Sequence, residues 1–317
     1  MNDMGVPSGP GYTASRMEDA REGTVIAMHG PLVRVRCGDE TIVAAARRRL
    51  EWEGGRPAAA RLVVGDHVLL DASVEEPVIQ AVRQRRTALL RKAPSSARPQ
   101  VLAANVDQAL IVFAARRPTP NRRLLDRFLV ACHHAGIEAV ITMNKVDQGL
   151  DLVRAWLGRY EMLGISTLVV SARTGRGLGT VKRRLAGRTT LFCGPSGAGK
   201  SSLLNAVQPG LRLRVGSISE ATGKGRHTTT MAELLPLSLG GFVVDTPGLK
   251  EFGLWNLTRL ELEGAFPEIR DLAAECRFAN CTHEHEPDCA VQRAVEDGAL
   301  DDERYRSYVT LLEEIVV

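Results

Sequence analysis

Gly194-Pro195-Ser196-Gly197-Ala198-Gly199-Lys200-Ser201 fits the phosphate-loop pattern in full, and its surroundings fit as well. The apolar run 191–193 reads as a strand entering the loop, and Ser201-Ser202-Leu203-Leu204-Asn205 reads as a helix leaving it. Glycines let such a loop curl until successive N–H groups point at phosphate oxygens, at the positive end of the following helix. Lys200 is then placed to bridge the β- and γ-phosphates, and the Ser201 hydroxyl to ligate Mg²⁺. The expected phosphate contacts run from Gly194 to Ser202.

Working outward, Asp245-Thr246-Pro247-Gly248 follows the apolar run 242–244. By itself this is also a reasonable turn. After a phosphate loop, the Asp245 carboxylate is placed to hold Mg²⁺ through water, and the Gly248 N–H to sense the γ-phosphate. On the other side, Asn144-Lys145-Val146-Asp147 ends the apolar run 139–143, and Ser171-Ala172 follows the run 167–170. The Asp147 carboxylate can accept from guanine N1–H and N2–H₂ together, a pair adenine does not offer. Asn144 can support O6 or N7, the Lys145 stem can cover the purine face, and the backbone at Ser171-Ala172 can donate to O6. Together these residues point to GTP.

The apolar runs 109–114, 139–143, 167–170, 190–193 and 242–244 alternate with helix-like spacing over 124–134, 150–163, 178–185 and 201–207. That rhythm predicts a doubly wound α/β sheet. The preceding segment, 24–82, reads differently. Leu32, Val33, Val35 and Cys37 surround Arg34 and Arg36 in near-alternation, and further strands are expected over 41–45, 61–64, 67–70 and 77–82, with a tight turn at Gly65-Asp66. About five short strands suit a small barrel, of OB or SH3-like type. Arg83, Arg85, Arg86, Arg91, Lys92 and Arg98 then make a connector without an acidic residue, suited to solvent or to phosphate contact.

Cys276, Cys281 and Cys289 cluster near the C-terminus with His283 and the rival imidazole His285. Three thiolates and one imidazole suit a closed, structural Zn²⁺ site. Cys37, Cys132 and Cys193 lie among apolar residues and read as small core residues. His133-His134 face different directions on a helix and read as surface, and Trp52, Trp156 and Trp255 as packing residues.

With 317 residues, 44% apolar and 25% charged, the chain is neither collagenous, nor a disordered polymer, nor a bundle of membrane helices. Residues 1–21 read as a disordered tail without the features of a signal peptide. A reducing, cytoplasmic setting is expected. The net charge of +4 hides two unlike parts. Residues 256–317 carry six Arg and no Lys against 15 acidic groups, a balance of −9, while residues 1–255 hold 35 basic against 22 acidic groups, a balance of +13. The basic part suggests a polyanionic partner.

The base-reading residues precede the phosphate loop and Asp245 comes last, the order of the circularly permuted GTPases. Within these the chain resembles the ribosome small subunit-dependent GTPase A family (RsgA or YjeQ) over residues 22–310. Gly225-Arg226-His227-Thr228-Thr229-Thr230 is similar to that family's switch I segment, and Cys276-x₄-Cys281-x-His283-x₅-Cys289 to its zinc signature. The resemblance implies an OB-like barrel at 22–86, a basic linker at 87–99, a permuted P-loop GTPase domain at 100–255 and a small helical zinc-binding domain at 256–317. It selects His283 over His285.

Leu249 stands where many small GTPases carry a water-positioning glutamine. Leucine cannot hydrogen-bond, so another group must orient the water or a partner must supply one; His227, beside the switch threonines, is the candidate catalytic residue, together with Lys200. One of Thr228, Thr229 and Thr230 is expected on Mg²⁺ in the closed state. The resemblance implies a monomeric GTPase, requiring GTP or GDP, Mg²⁺ and one structural Zn²⁺, that acts in late assembly of the small (30S) ribosomal subunit. It would bind ribosomal RNA in the GTP state and contact no membrane. A metal-delivery GTPase and an RNA-binding adaptor with a vestigial GTPase domain are the alternatives.

Overall fold

A computed structural model describes residues 20–55, 61–91, 100–211, 232–245 and 257–316. The tail, residues 92–99 of the connector and linker, His227, Thr228, Thr229, Thr230, Gly248, Leu249 and Trp255 lie outside the described residues.

Strands β1 (Ala20–His29), β2 (Leu32–Cys37), β3 (Glu40–Trp52), β4 (His67–Asp71) and β5 (Val78–Val82) close a barrel in the order β1-β2-β3-β5-β4. β3 runs parallel to β5, and β4 returns antiparallel to β1. That Greek-key closure decides between the two expected barrels in favour of the OB-like one. Along β2 the alternation holds, with Val33, Val35 and Cys37 buried. The strand expected over 61–64 does not form; Val64 makes a single bridge to Ala103. Asp66 prevents it, because its buried carboxylate accepts from Val63 N at 2.8 Å and curls the chain into a turn. Gly65 completes the turn at φ +87°, and a Cβ there would sit 1.9 Å from Ala104 O.

The stretch 87–99 is not wholly a linker. β6 (Ala88–Arg91) pairs antiparallel with β7 (Gln100–Ala104), because Leu89 is completely buried and needs a partner strand. Arg85 clamps Asp66 at 2.7 and 2.9 Å and lies over the Trp52 ring, while Asn105 Nδ2 donates to Gly65 O at 2.8 Å. These contacts tie the barrel to the two-stranded β6–β7 sheet.

Next come β8 (Gln108–Ala114), α1 (Arg122–His134), β9 (Glu138–Asn144), α2 (Asp151–Met162), β10 (Ser166–Val169), α3 (Leu178–Leu185), β11 (Thr189–Cys193), α4 (Lys200–Val207), β12 (Glu233–Pro236) and β13 (Phe242–Asp245). The six strands form one sheet in the order β10-β9-β8-β11-β13-β12. All neighbours are parallel except β12, an antiparallel edge strand ending in Pro236, where a missing N–H costs no ladder bond. β8 is buried along its whole length, as a central strand covered on both faces must be. One apolar cluster joins the barrel, through Val25 and Leu70, and Leu89 of β6 to the sheet face bearing Ile111, Ile141 and Leu191. Leu110, Val140, Val181, Leu203 and Val243 pack the opposite face.

The C-terminal module holds α5 (Arg259–Gly264), α6 (Pro267–Ala273), α7 (Ala290–Glu296) and α8 (Asp302–Val316). Its core of Leu262, Phe266, Ile269, Tyr308 and Leu311 takes in Val130 from α1. Around that shared core lies a charged seam. Arg304, 2% exposed, donates to Asp126 Oδ1 at 2.5 Å and to Glu268 Oε1 at 2.7 Å, and Tyr160 O–H donates to the same Asp126 oxygen at 2.6 Å. Arg122 pairs with Asp301 at 2.8 Å, and Arg127 with Glu314. Part of the acidic balance of the C-terminal unit is therefore matched by arginines of α1. Among the described residues, no helix is long and apolar enough to cross a membrane.

Candidate nucleotide site and metal centre

Parallel strands bring the motifs together. β9 ends at Asn144, β11 delivers the chain to Gly194, β13 ends at Asp245, and Ser171 follows β10 closely, so all emerge at the carboxyl edge of one sheet. Gly194 has φ +124°, and a Cβ on it would lie 2.2 Å from Val112 O; only glycine lets the loop pass so close to β8. Lys200 opens α4 and turns back over the loop, donating to Gly194 O at 2.8 Å and Pro195 O at 2.9 Å. Burial holds its pKa below that of an ordinary lysine. Ser201 and Ser202 are exposed in the first turn of α4, and Asp245 is buried at the end of β13, the strand next to β11.

The base-reading side is more constrained than its sequence suggests. Asn144 is 1% exposed, and its amide is engaged at both ends. Nδ2 donates to Ala198 O at 3.1 Å and Gly199 O at 3.3 Å, while Oδ1 accepts from Lys145 N at 2.8 Å and Ala172 N at 3.1 Å. Asn144 therefore straps the phosphate loop to the two base-reading segments. Lys145, with φ +60°, donates from Nζ to Gly197 O at 2.7 Å and Arg117 O at 2.8 Å. Asp147 accepts from Ser171 Oγ, and from Arg173 Nε and Nη2 at 2.9 and 2.7 Å. The serine hydroxyl first, then the guanidinium, holds the Asp147 carboxyl below the usual range. The sequence reading missed Arg173, although it directly follows Ser171-Ala172.

In the C-terminal module the four ligand atoms of Cys276, Cys281, His283 and Cys289 lie within 4.8 Å of one another. Cys276 Sγ is 3.9 Å from Cys289 Sγ, and His283 Nδ1 is 3.6 and 3.5 Å from those two sulfurs. A tetrahedral zinc with Zn–S bonds of about 2.3 Å and Zn–N bonds of about 2.0 Å sets edges of about 3.5–3.8 Å, so the cluster fits. His285 is exposed. Without a metal, burial pushes the Cys281 thiol up to about 12 and holds the His283 imidazole below its ordinary value. The other cysteines, 37, 132 and 193, are buried in apolar surroundings as expected. His133 is exposed, and His134 faces Glu261 at 3.5 Å.

The sheet, its phosphate loop and the order of its segments define a circularly permuted P-loop GTPase core, flanked by an OB-like barrel and a Cys₃His module. Residues 82–255 match the family model described as RsgA GTPase. Small ribosomal subunit biogenesis GTPase RsgA from Moorella thermoacetica is 42% identical over 296 residues, 93% of this chain and 97% of that protein. Its namesake from Gemmatimonas aurantiaca is 44% identical, covering 87% and 91%. The crystal structure of YjeQ from Thermotoga maritima superposes with a TM-score of 0.75 at 33% identity, covering 94% and 99%. YloQ, a circularly permuted GTPase, superposes at 0.72 with 31% identity, covering 96% and 98%. The chain belongs to the RsgA GTPase family.

Proposed function

We propose that this GTPase serves assembly of the small (30S) ribosomal subunit in the cytoplasm, gripping ribosomal RNA in its GTP-bound form and leaving on hydrolysis. The observation that carries this reading is the meeting of Lys200, Ser201, Asp245 and Asp147 at one sheet edge, in a family whose named members carry out small-subunit biogenesis. Asp147 reads the guanine N1–H and N2–H₂, and Ser171 and Asn144 hold that region in shape. Lys200 and the loop N–H groups neutralise charge building on the β- and γ-phosphates. Ser201, and Asp245 through water, would hold Mg²⁺, which would supply further neutralisation of phosphate charge. His227 orients the attacking water, with Thr228, Thr229 or Thr230 closing over the γ-phosphate and Gly248 sensing it. Cys276, Cys281, His283 and Cys289 hold one structural zinc. The units divide at 22–86, 100–255 and 256–317, the barrel and its connector carry the RNA grip, and the protein works as a monomer.

The decisive assay measures GTP and ATP turnover with and without purified small subunits. Strong stimulation confined to GTP is the expected result; turnover indifferent to small subunits would sink the ribosomal reading. In the same assay His227→Ala should lower stimulated turnover while leaving GTP affinity nearly intact. Undiminished stimulated hydrolysis in that variant would remove His227 from the mechanism.

A further inference from the structure

The backbone of the metal-site histidine is held more firmly than a bare ligand set requires. His283 adopts φ +67°, a conformation that L side chains rarely take. Its carbonyl is clamped there by Tyr305 O–H at 2.7 Å and Gln292 Nε2 at 3.1 Å. With Nδ1 turned to the sulfurs, Nε2 points the other way, shut off from water and without a hydrogen-bond partner, and Glu263 Oε2, 3.5 Å away, is placed to accept from it on a small closure. Glu263 is itself largely buried. It is placed by α5, whose start is fixed by a capping box of Thr258 and Glu261. Arg259, one turn earlier on the same helix face, stands 3.9 Å from Glu263 and donates to Cys281 O at 2.5 Å.

A ring nitrogen facing metal must be free of its proton, so the other nitrogen carries it. A buried N–H beside a carboxylate then fixes both the tautomer and the plane of the ring, and makes the imidazole a stronger donor. We propose that Glu263 is a positioning residue of the zinc centre, anchoring the His283 Nε2–H while Arg259 links that carboxylate to the backbone of Cys281. The inference rests on the zinc reading of the Cys₃His cluster, and nothing in the motif spacing announces it. Glu263 lies 20 residues from His283 in the chain and reaches it only because α5 folds over the ligand loop.

The test uses the full chain. Metal content of the purified protein comes first, by elemental analysis. Zinc affinity is then measured by competition with a coloured chelator for the unaltered protein, Glu263→Ala, Glu263→Gln and a His285→Ala control. Glu263→Ala should weaken zinc binding ~10–100-fold. Glu263→Gln, which keeps an acceptor but loses the charge, should fall between, and the control should not change. Replacing zinc with Co²⁺ adds a readout that a packing role would not move: the ligand-field bands should shift in Glu263→Ala and return toward normal in Glu263→Gln. One zinc per chain with identical chelator competition in all variants would overturn the role of Glu263 and leave the zinc site standing. A lowered melting temperature with unchanged metal affinity would overturn it too. Absence of zinc from the unaltered protein would remove the zinc reading itself, and this inference with it. Should Glu263→Ala fail to fold, Glu263→Gln decides alone, since it keeps the volume and a hydrogen-bond acceptor.

Discussion

The nucleotide edge of the sheet and the Cys₃His module place their functional groups by opposite means. At the sheet edge, parallel strands fix where each motif emerges, and the loops are held by backbone geometry and by the straps of Asn144 and Lys145. The module has four helices of which three span only six or seven residues, too short to be stable alone. Its order comes from a ligand cluster, a shared core with α1, and buried charge. The difference teaches where each region is vulnerable: the first to changes in backbone, the second to loss of a ligand or a charge partner.

The largest expected effect therefore falls on the module. Stripping zinc with a chelator should unfold residues 257–316, since metal binding and folding are one equilibrium in such small units and structural zinc contributes on the order of 10 kcal/mol. Amide hydrogen exchange would report it as loss of protection in α7 and α8 with β8, β9 and β11 still protected. Protection surviving in α7 and α8 would erase the contrast between the two regions.

Next comes the seam. Arg304→Met leaves Asp126 and Glu268 buried without their cation, which should cost about 3–5 kcal/mol. The compound variant Arg304→Met, Asp126→Asn, Glu268→Gln should behave differently. Removing all the charges together should recover much of that loss, because desolvation of the ions disappears with their attraction. Urea midpoints for the two variants measure both quantities, and equal destabilisation would show that packing, rather than unpaired charge, sets the cost.

The same contrast explains what can be read from the sequence. Strand-to-loop motifs are local, so Gly194 to Ser201, Asn144 to Asp147 and Asp245 announce themselves, and α3 has the bounds its spacing predicts. Cys276, Cys281, His283 and Cys289 are legible for the same reason. β1 does not stand out, because a bulge between Val25 and Ala27 spoils its alternation. β12 is four residues long and ends in proline, too short for a period to show. The run 61–64 looks like a strand because apolar residues end it, whereas the deciding interaction is the Asp66 carboxylate on Val63 N. Arg304 with Asp126, and Glu263 with His283, are pairings across the fold that no local pattern encodes.

At the nucleotide edge the effects are smaller and lie in the backbone. Gly199 has φ +91°, and a Cβ there would sit 2.5 Å from Asn144 Nδ2, the strap between loop and base-reading segments. Gly199→Ala should therefore cost about 1–3 kcal/mol in nucleotide affinity through strain in the loop. Titration calorimetry with GDP would show it as roughly ten- to hundredfold weaker binding, converted at about 1.4 kcal/mol per decade. Unchanged affinity would mean that the strap yields freely, and the sheet edge would then owe its order to something other than backbone fit.

The smallest effect concerns Arg173. Its guanidinium offers Asp147 two N–H donors, at 2.9 and 2.7 Å on one oxygen, much as guanine would offer N1–H and N2–H₂. Base and arginine therefore compete for one carboxylate, and Arg173→Ala should tighten GDP binding. The gain should be only a few-fold, because the arginine side chain is 74% exposed and exposed ion pairs are weak. Salt should narrow the gap, since screening weakens the competing pair in the unaltered protein while the variant has none to lose. The measurement is GDP affinity for both proteins at low and high salt. Weaker binding in Arg173→Ala would reverse the assignment, with the arginine holding the base rather than contesting its partner. The nucleotide edge would then rely on a charged side chain, as the Cys₃His module does.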